Sequence, residues 1–234
     1  MNDATSTTII DSTTGAHTGQ KDSVGHPMET PNGKIGKAQY FNQDDITIAD
    51  SDDFSMTDGN SDLPFTLELW VYPTTINNHH TLLAKDGQNR REWLIQYYGY
   101  GNYQRFVSVN LLDTNTGGYI EGLYYYDLQP NIWYQFTATY DGSGTASGLT
   151  LYFNGVPVTW STTLGSGYVM MHNTNVPLFM GKYDWPDEKY TYGIMDEIRI
   201  SKGIARDAGW VSATYQNQNN PAGFISVGPE ETGP

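Results

Sequence analysis

The chain has 234 residues and carries 26 Asp and Glu against 12 Lys and Arg, a formal charge of −14. That length accommodates one large β domain or two small ones with a substantial core, and the acidic surface repels phosphate backbones, so nucleic acid is not an expected partner. With no cysteine, disulfides, thiolate zinc sites and a cysteine nucleophile are excluded.

The N-terminus, MNDATSTTIIDSTTG, lacks both a basic n-region and an apolar h-region. Either export is directed by part of a longer polypeptide, or the chain is not exported by that route. No apolar run reaches the length of a membrane span, so no membrane insertion is expected. Residues 1–30 are polar, and only Thr7–Asp11 resembles a strand. Short runs of period 2 then follow, separated by turn residues. A strand is expected around 38–48. In the next run, Phe65, Leu67, Leu69 and Val71 share one face, and further strands are expected at 81–85, 92–98, 104–112 and 119–125. Ile132, Tyr134, Phe136 and Ala138 form one face of another strand. Leu149–Phe153 meets Val156–Val158 across Asn154-Gly155, a pair suited to a type I′ turn that needs positive φ twice. Strands at 176–182 and 192–200 complete the set. A short helix or turn is expected around Ala208–Tyr215, then an extended arm from Gln216 and a loose C-terminal tail. This count and spacing indicate an all-β antiparallel sandwich or jelly roll in a single domain.

The strand over 192–200 poses a chemical problem. Strict alternation puts Ile194, Asp196, Ile198 and Ile200 on one core-facing side. A carboxylate there is costly unless it is paired, hydrogen-bonded or bound to a metal.

Four segments arrive in a telling order: GKIGKAQYFNQDDITIADSDDF (33–54), PFTLELWVYPT (64–74), NIWYQFTATYDGSGTASGLTLYFNGVPV (131–158) and GIMDEIRISKGIAR (193–206). Together they resemble the concanavalin A-like, laminin-G-like jelly-roll family, including its bacterial and phage-borne modules. The resemblance implies an antiparallel two-sheet jelly-roll sandwich as one domain over 1–234, with its ordered core at about 5–228. The family spans carbohydrate-binding modules, adhesins, phage tail and decoration proteins, and domains attached to hydrolases, so the fold does not by itself give an activity.

The resemblance also implies a calcium site near the sandwich edge. Asp44, Asp45, Asp50 and Asp53 lie in one acidic stretch, and with Asp196 they could supply some of the six to eight oxygens that Ca²⁺ takes. The alternative is that Asp196 caps backbone N–H groups without metal. Asp58-Gly-Asn60-Ser-Asp62 has alternating oxygens, but Leu63 and Leu69 stand where an EF-hand needs Gly and Glu, so a solvated hairpin tip is expected.

Aromatic residues supply the candidate ligand surface. Tyr98, Tyr100 and Tyr103, with Arg105, crowd one hairpin. Tyr125 lies in the run Tyr124–Tyr126, which cannot all face inward, and Tyr183, Trp185, Tyr190 and Tyr192 bracket the loop KYDWPDEKYTY. Sugar rings lay C–H faces on aromatic planes while their hydroxyls seek polar side chains. Packing on strand faces is the competing explanation. Trp70 and Trp133 are expected to pack in or against the sandwich, and His79-His80 to be solvated.

No Glu-x-Asp-x-x-Glu strand, Gly-x-Ser-x-Gly elbow, phosphate loop or zinc motif occurs, and adjacent Asp196 and Glu197 should face opposite sides, so no enzyme is expected. The expected function is a non-catalytic carbohydrate-binding or adhesion module, calcium-stabilised if the acidic stretch binds an ion. Its expected place is extracellular, on a cell surface or on a virion, with a glycan or cell-surface polysaccharide as partner. The alternative is a phage or virion structural protein that contacts neighbouring subunits; a glycoside hydrolase comes third.

Overall fold

The structure, a computed structural model, describes residues 7–11, 14–15, 17–23, 26–99, 105–165, 167–186 and 189–224. These residues form two antiparallel sheets. The nine-stranded sheet runs in the order β1 (Thr8–Ile9), β2 (Gly19–Lys21), β5 (Ile46–Ile48), β15 (Leu178–Met180), β7 (His79–Gly87), β8 (Arg90–Tyr98), β9 (Phe106–Leu112), β10 (Tyr119–Tyr125) and β14 (Ser161–Leu164). The seven-stranded sheet runs β13 (Val156–Pro157), β12 (Leu149–Phe153), β11 (Tyr134–Tyr140), β6 (Phe65–Pro73), β16 (Tyr192–Lys202), β4 (Ala38–Asn42) and β3 (Met28–Thr30). Two helices close the described chain, α1 (Ala208–Asn219) and α2 (Pro221–Phe224).

Alternation builds the core. Phe65, Leu67, Leu69 and Val71 of β6 stand beside Tyr140, Ala138, Phe136 and Tyr134 of β11. They join Trp93, Ile95 and Tyr97 of β8 and Val107, Val109 and Leu111 of β9 in one buried cluster. Burying each large apolar side chain contributes about 1.5–3 kcal/mol. The Asn154-Gly155 turn takes the left-handed conformation at both residues, with φ of 51° and 76°. Gly155 is required twice over, because a Cβ there would lie 2.5 Å from Tyr215 of α1.

Strands β2, β3 and β14 were not expected from the sequence, and three further elements differ from the sequence-based expectation. The run 38–48 is two strands in different sheets, divided by Gln43, whose φ is 63°. The helix does not end near Tyr215. It continues to Asn219, where an extended arm was expected from Gln216, and α2 follows. Asp207 caps its start by accepting from the Trp210 N–H, at 2.8 Å. Its second half is held by tertiary contacts: Tyr215 stacks on Trp70 (5.5 Å, 14°), and Gln218 accepts from Trp70 Nε1 at 2.6 Å. The third difference, a bulge in β16, decides where Asp196 goes. Among the described residues, no helix is long and apolar enough to cross a membrane.

Candidate functional site

In β16, Met195 lies opposite Val71 on the core face, and Asp196 lies opposite Trp70 on the outward face. The register then slips by one residue, with Glu197 at φ 49°, so that Ile198 and Ile200 pack against the core. Asp196 therefore shares a face with Ile194 and not, as strict alternation predicts, with Ile198 and Ile200. It is nonetheless only 2% exposed. Its Oδ2 accepts from Ile35 N at 3.0 Å, and its Oδ1 from Glu197 N at 2.9 Å. Burial pushes the carboxyl pKa up, and these two backbone donors pull it back.

The other four acids of the proposed calcium set go to separate partners. Asp44 accepts from Asn42 N (3.2 Å), and Asp45 pairs with Lys182 (3.1 Å) and accepts from Thr47. Asp50 pairs with the buried Lys85 (2.6 Å), and Asp53 with His17 (2.8 Å). Among the described residues, no group of three or more His, Asp or Glu is placed to hold a metal ion. The five carboxylates, each turned to a cation or an N–H or O–H donor, do not fit a calcium shell. The Asp58–Asp62 tip also differs from expectation. Asp58 caps Asn60 N and Ser61 N on the surface, but Asp62 is buried, accepting from Tyr168 OH (2.6 Å), Met171 N (2.7 Å) and Tyr140 OH (3.2 Å).

The aromatic residues converge where the acids do not. A cleft of about 300 Å³ opens where β7 and β16 begin and β8 ends, lined by Gln43, Asn78, His79, Tyr98, Lys189, Tyr190 and Tyr192. Strand register explains it. His79, Tyr98, Phe106 and Tyr125 are direct cross-strand neighbours on β7, β8, β9 and β10. Tyr98 stacks on Phe106 (5.2 Å, 3°), whose ring meets the edge of Tyr125 at 5.9 Å. In the other direction His79 contacts Tyr98 at 5.0 Å and Tyr183 at 6.4 Å, and Tyr183 contacts Trp185 at 6.3 Å. Six rings thus follow one another, with Tyr98 and His79 at the cleft.

Of the expected ligand residues, Tyr98 and Tyr190 line the cleft, while Tyr125, Tyr183 and Trp185 belong to the ring series. Arg105 pairs with Asp127 and donates to Asn77, the neighbour of the cleft residue Asn78. Tyr100 and Tyr103 lie outside the described residues. Gln43, Asn78 and Lys189 were not singled out from the sequence; Tyr192 was noted only as an aromatic residue bracketing the loop KYDWPDEKYTY, and His79 only as a solvated residue. The expectation that His79-His80 is solvated is corrected. His79 Nε2 lies 2.6 Å from Gln96 Oε1, and His80 is buried. Burial, reinforced by neighbouring His79, lowers the His80 pKa to about 4. The ring therefore stays neutral, and its Nδ1 accepts from Tyr192 N at 3.2 Å, which fixes Tyr192 at the cleft wall. The NNHH tetrapeptide gives no sign of this, because its partners are far off in sequence.

Aromatic faces beside amide, phenol, imidazole and ammonium groups suit a polyhydroxylated ring: C–H faces stack and hydroxyls find donors and acceptors. Among the described residues, those lining the cleft include no Asp or Glu. A larger opening of about 450 Å³ between the sheets is walled mainly by residues such as Ile46, Ile48, Leu178, Ile198 and Ile200. Asp11, His17, Asp196, Glu197 and Arg199 also line it, so it sets apolar walls beside charged groups but offers no aromatic platform beyond Phe54 and His17.

The concanavalin A-like lectin/glucanases superfamily matches residues 41–212. The chain belongs to this superfamily. Strands β5 to β16, with the closing DEIRI strand and the Asn-Gly hairpin, fall within the matched span. No curated protein matches it in sequence. Among solved structures, it is similar to domain 4 of AbnA, a GH43 extracellular arabinanase from Geobacillus stearothermophilus, in complex with arabinotriose. The identity is 21% over 85% of this chain and 88% of that one, with a TM-score of 0.57. It is also similar to the botulinum neurotoxin serotype G binding domain, at 18% identity over 90% of this chain and 49% of that one, TM-score 0.63. A third is botulinum neurotoxin type C, whose cell entry depends on interaction with two ganglioside molecules, at 11% identity over 92% of this chain and 45% of that one, TM-score 0.52. The chain thus spans about half the length of the toxin structures. At these identities the likeness is one of fold.

Proposed function

We propose that this superfamily member is a non-catalytic glycan-binding module acting outside the cell, and that the cleft between His79, Tyr98, Tyr190 and Tyr192 is its binding site. The observation that carries this is the cleft itself: three tyrosines, an imidazole, two amides and a lysine converge, backed by a row of stacked rings. A sugar lies on an exposed ring face there, and Gln43, Asn78 and Lys189 meet its hydroxyls. The preformed strands hold these groups in place, so little ordering cost accompanies binding. Glycan ligands named for two structures of the same fold, arabinotriose and gangliosides, support the ligand class. Among the described residues none that lines the cleft is a carboxylate, which supports binding rather than glycoside cleavage, since cleavage takes a pair of them.

Isothermal titration of the full chain with arabinotriose, xylotriose, cellotriose and a ganglioside headgroup glycan tests the proposal. At least one should bind, and Tyr98→Ala and Tyr190→Ala should each weaken it about tenfold through lost stacking. If none of the four binds, the proposal fails.

A further inference from the structure

We infer that the glycan is a neutral, unbranched polysaccharide chain, held along a second platform that continues from the cleft onto the outward face of the seven-stranded sheet. This rests on the glycan-binding reading of the cleft and goes beyond it by naming the class of polymer.

Tyr192 joins the two surfaces. It lines the cleft, and two residues along β16, on the same side of the strand, comes Ile194. Ile194 lies directly opposite Tyr72 of β6 and Tyr40 of β4, and Tyr40 lies opposite Met28 of β3. At the Tyr72 end, Trp133 packs its ring against Tyr72 at 5.4 Å. From Tyr72 to Met28 the row crosses three interstrand spacings, about 15 Å, a length that takes several sugar residues and far exceeds one. Tyr40, Tyr72 and Trp133 are only partly buried, and Met28 is exposed.

Two residues further along β6 the same face is used differently. Trp70 is buried beneath the Tyr215 ring of α1. The chain thus covers one aromatic position of this face with its own helix and leaves Tyr72, Tyr40 and Met28 of the neighbouring row in contact with solvent, with Ile194 buried between the two tyrosines.

Charge selects among polymers. None of the residues in the row is charged, and the chain carries −14 overall. Beyond Lys189 in the cleft, no residue of the row supplies a positive charge to offset the chain's, so a polyanion such as a polyuronate is repelled along the row, whereas a neutral chain meets no such barrier. A single terminal sugar would fill the cleft and leave the row unused.

The test measures affinity of the full chain for arabino- and xylo-oligosaccharides from three to eight units, and for polygalacturonate. For the series that binds, the octasaccharide should bind about tenfold more tightly than the trisaccharide, since stacking contacts accumulate along the row. Tyr72→Ala combined with Trp133→Ala should bring the octasaccharide down to the wild-type trisaccharide value. Met28→Glu, at an exposed edge where folding is not at stake, should give a smaller loss confined to the long chains. Polygalacturonate should bind more weakly than neutral polymer at low salt. Equal affinity for three and eight units, or for polygalacturonate and neutral polymer, overturns the inference while leaving the cleft standing. Absence of binding to every oligosaccharide of both series, and to cellotriose and the ganglioside headgroup glycan, overturns the cleft proposal instead.

Discussion

Trp70 and Tyr98 sit on the outward faces of opposite sheets, each with polar neighbours and further rings alongside, yet they serve different ends. Trp70 is covered by the chain itself: Tyr215 stacks on it, Gln218 takes its N–H, and Lys34 lies over the ring at 4.1 Å. Tyr98 backs onto Phe106 but faces a cleft. An outward aromatic residue in a strand therefore says little about binding until one knows whether a later segment returns to cover it. Here α1 makes that distinction. The covered side also buries a carboxyl group. Glu68 lies 2% exposed on the outward face beside Arg199, and its Oε2 finds no hydrogen-bond partner among the described residues. Burial raises its pKa to about 7, despite the opposing pull of Arg199 and Arg206.

The largest effect should come from breaking the covered side. Trp70→Ala removes the stack and the shorter of the two hydrogen bonds that Gln218 Oε1 accepts, so urea denaturation should show a loss of about 3–5 kcal/mol while glycan affinity at the cleft persists. Next comes Glu68. Its folded pKa of about 7 lies above the ordinary 4.5, so the stability tied to its proton is complete below pH 4.5 and is lost as pH rises through 7. That loss amounts to roughly 3 kcal/mol, and Glu68→Gln should remove most of this decline when urea stability is compared at pH 5 and pH 8. On the open side, Tyr98→Ala should cost about 1–1.5 kcal/mol of glycan binding by titration calorimetry, with a smaller effect on stability than Trp70→Ala. The smallest effect should follow calcium. Since the acids do not share a site, raising Ca²⁺ to millimolar levels should leave the melting temperature unchanged, whereas a specific site would shift it with concentration.

The sandwich was legible because its core strands obey period 2, as in Phe65, Leu67, Leu69 and Val71, and because Asn154-Gly155 announces its own turn. Legibility stopped where one residue breaks the period. Glu197 at positive φ flips the face of everything after it in β16, and no glycine marks the spot. Gln43 does the same between β4 and β5. The long α1 was hidden for another reason: it is polar along its length and docks through Val211, Tyr215 and Gln218, so it lacks an apolar stripe. The candidate site was half legible. Tyr98 and Tyr190 stood out as aromatics, but Gln43, Asn78 and His79 acquire meaning only from the register that brings them together.

The most direct measurement is a two-dimensional NMR titration of the full chain with a bound trisaccharide, following backbone amide shifts. The account predicts saturable changes centred on His79, Tyr98, Tyr190 and Tyr192, with the amides of Tyr215 and Gln218 unmoved. Changes centred on α1, or on the loops carrying Asp44 and Asp53 while the cleft stays silent, would contradict it.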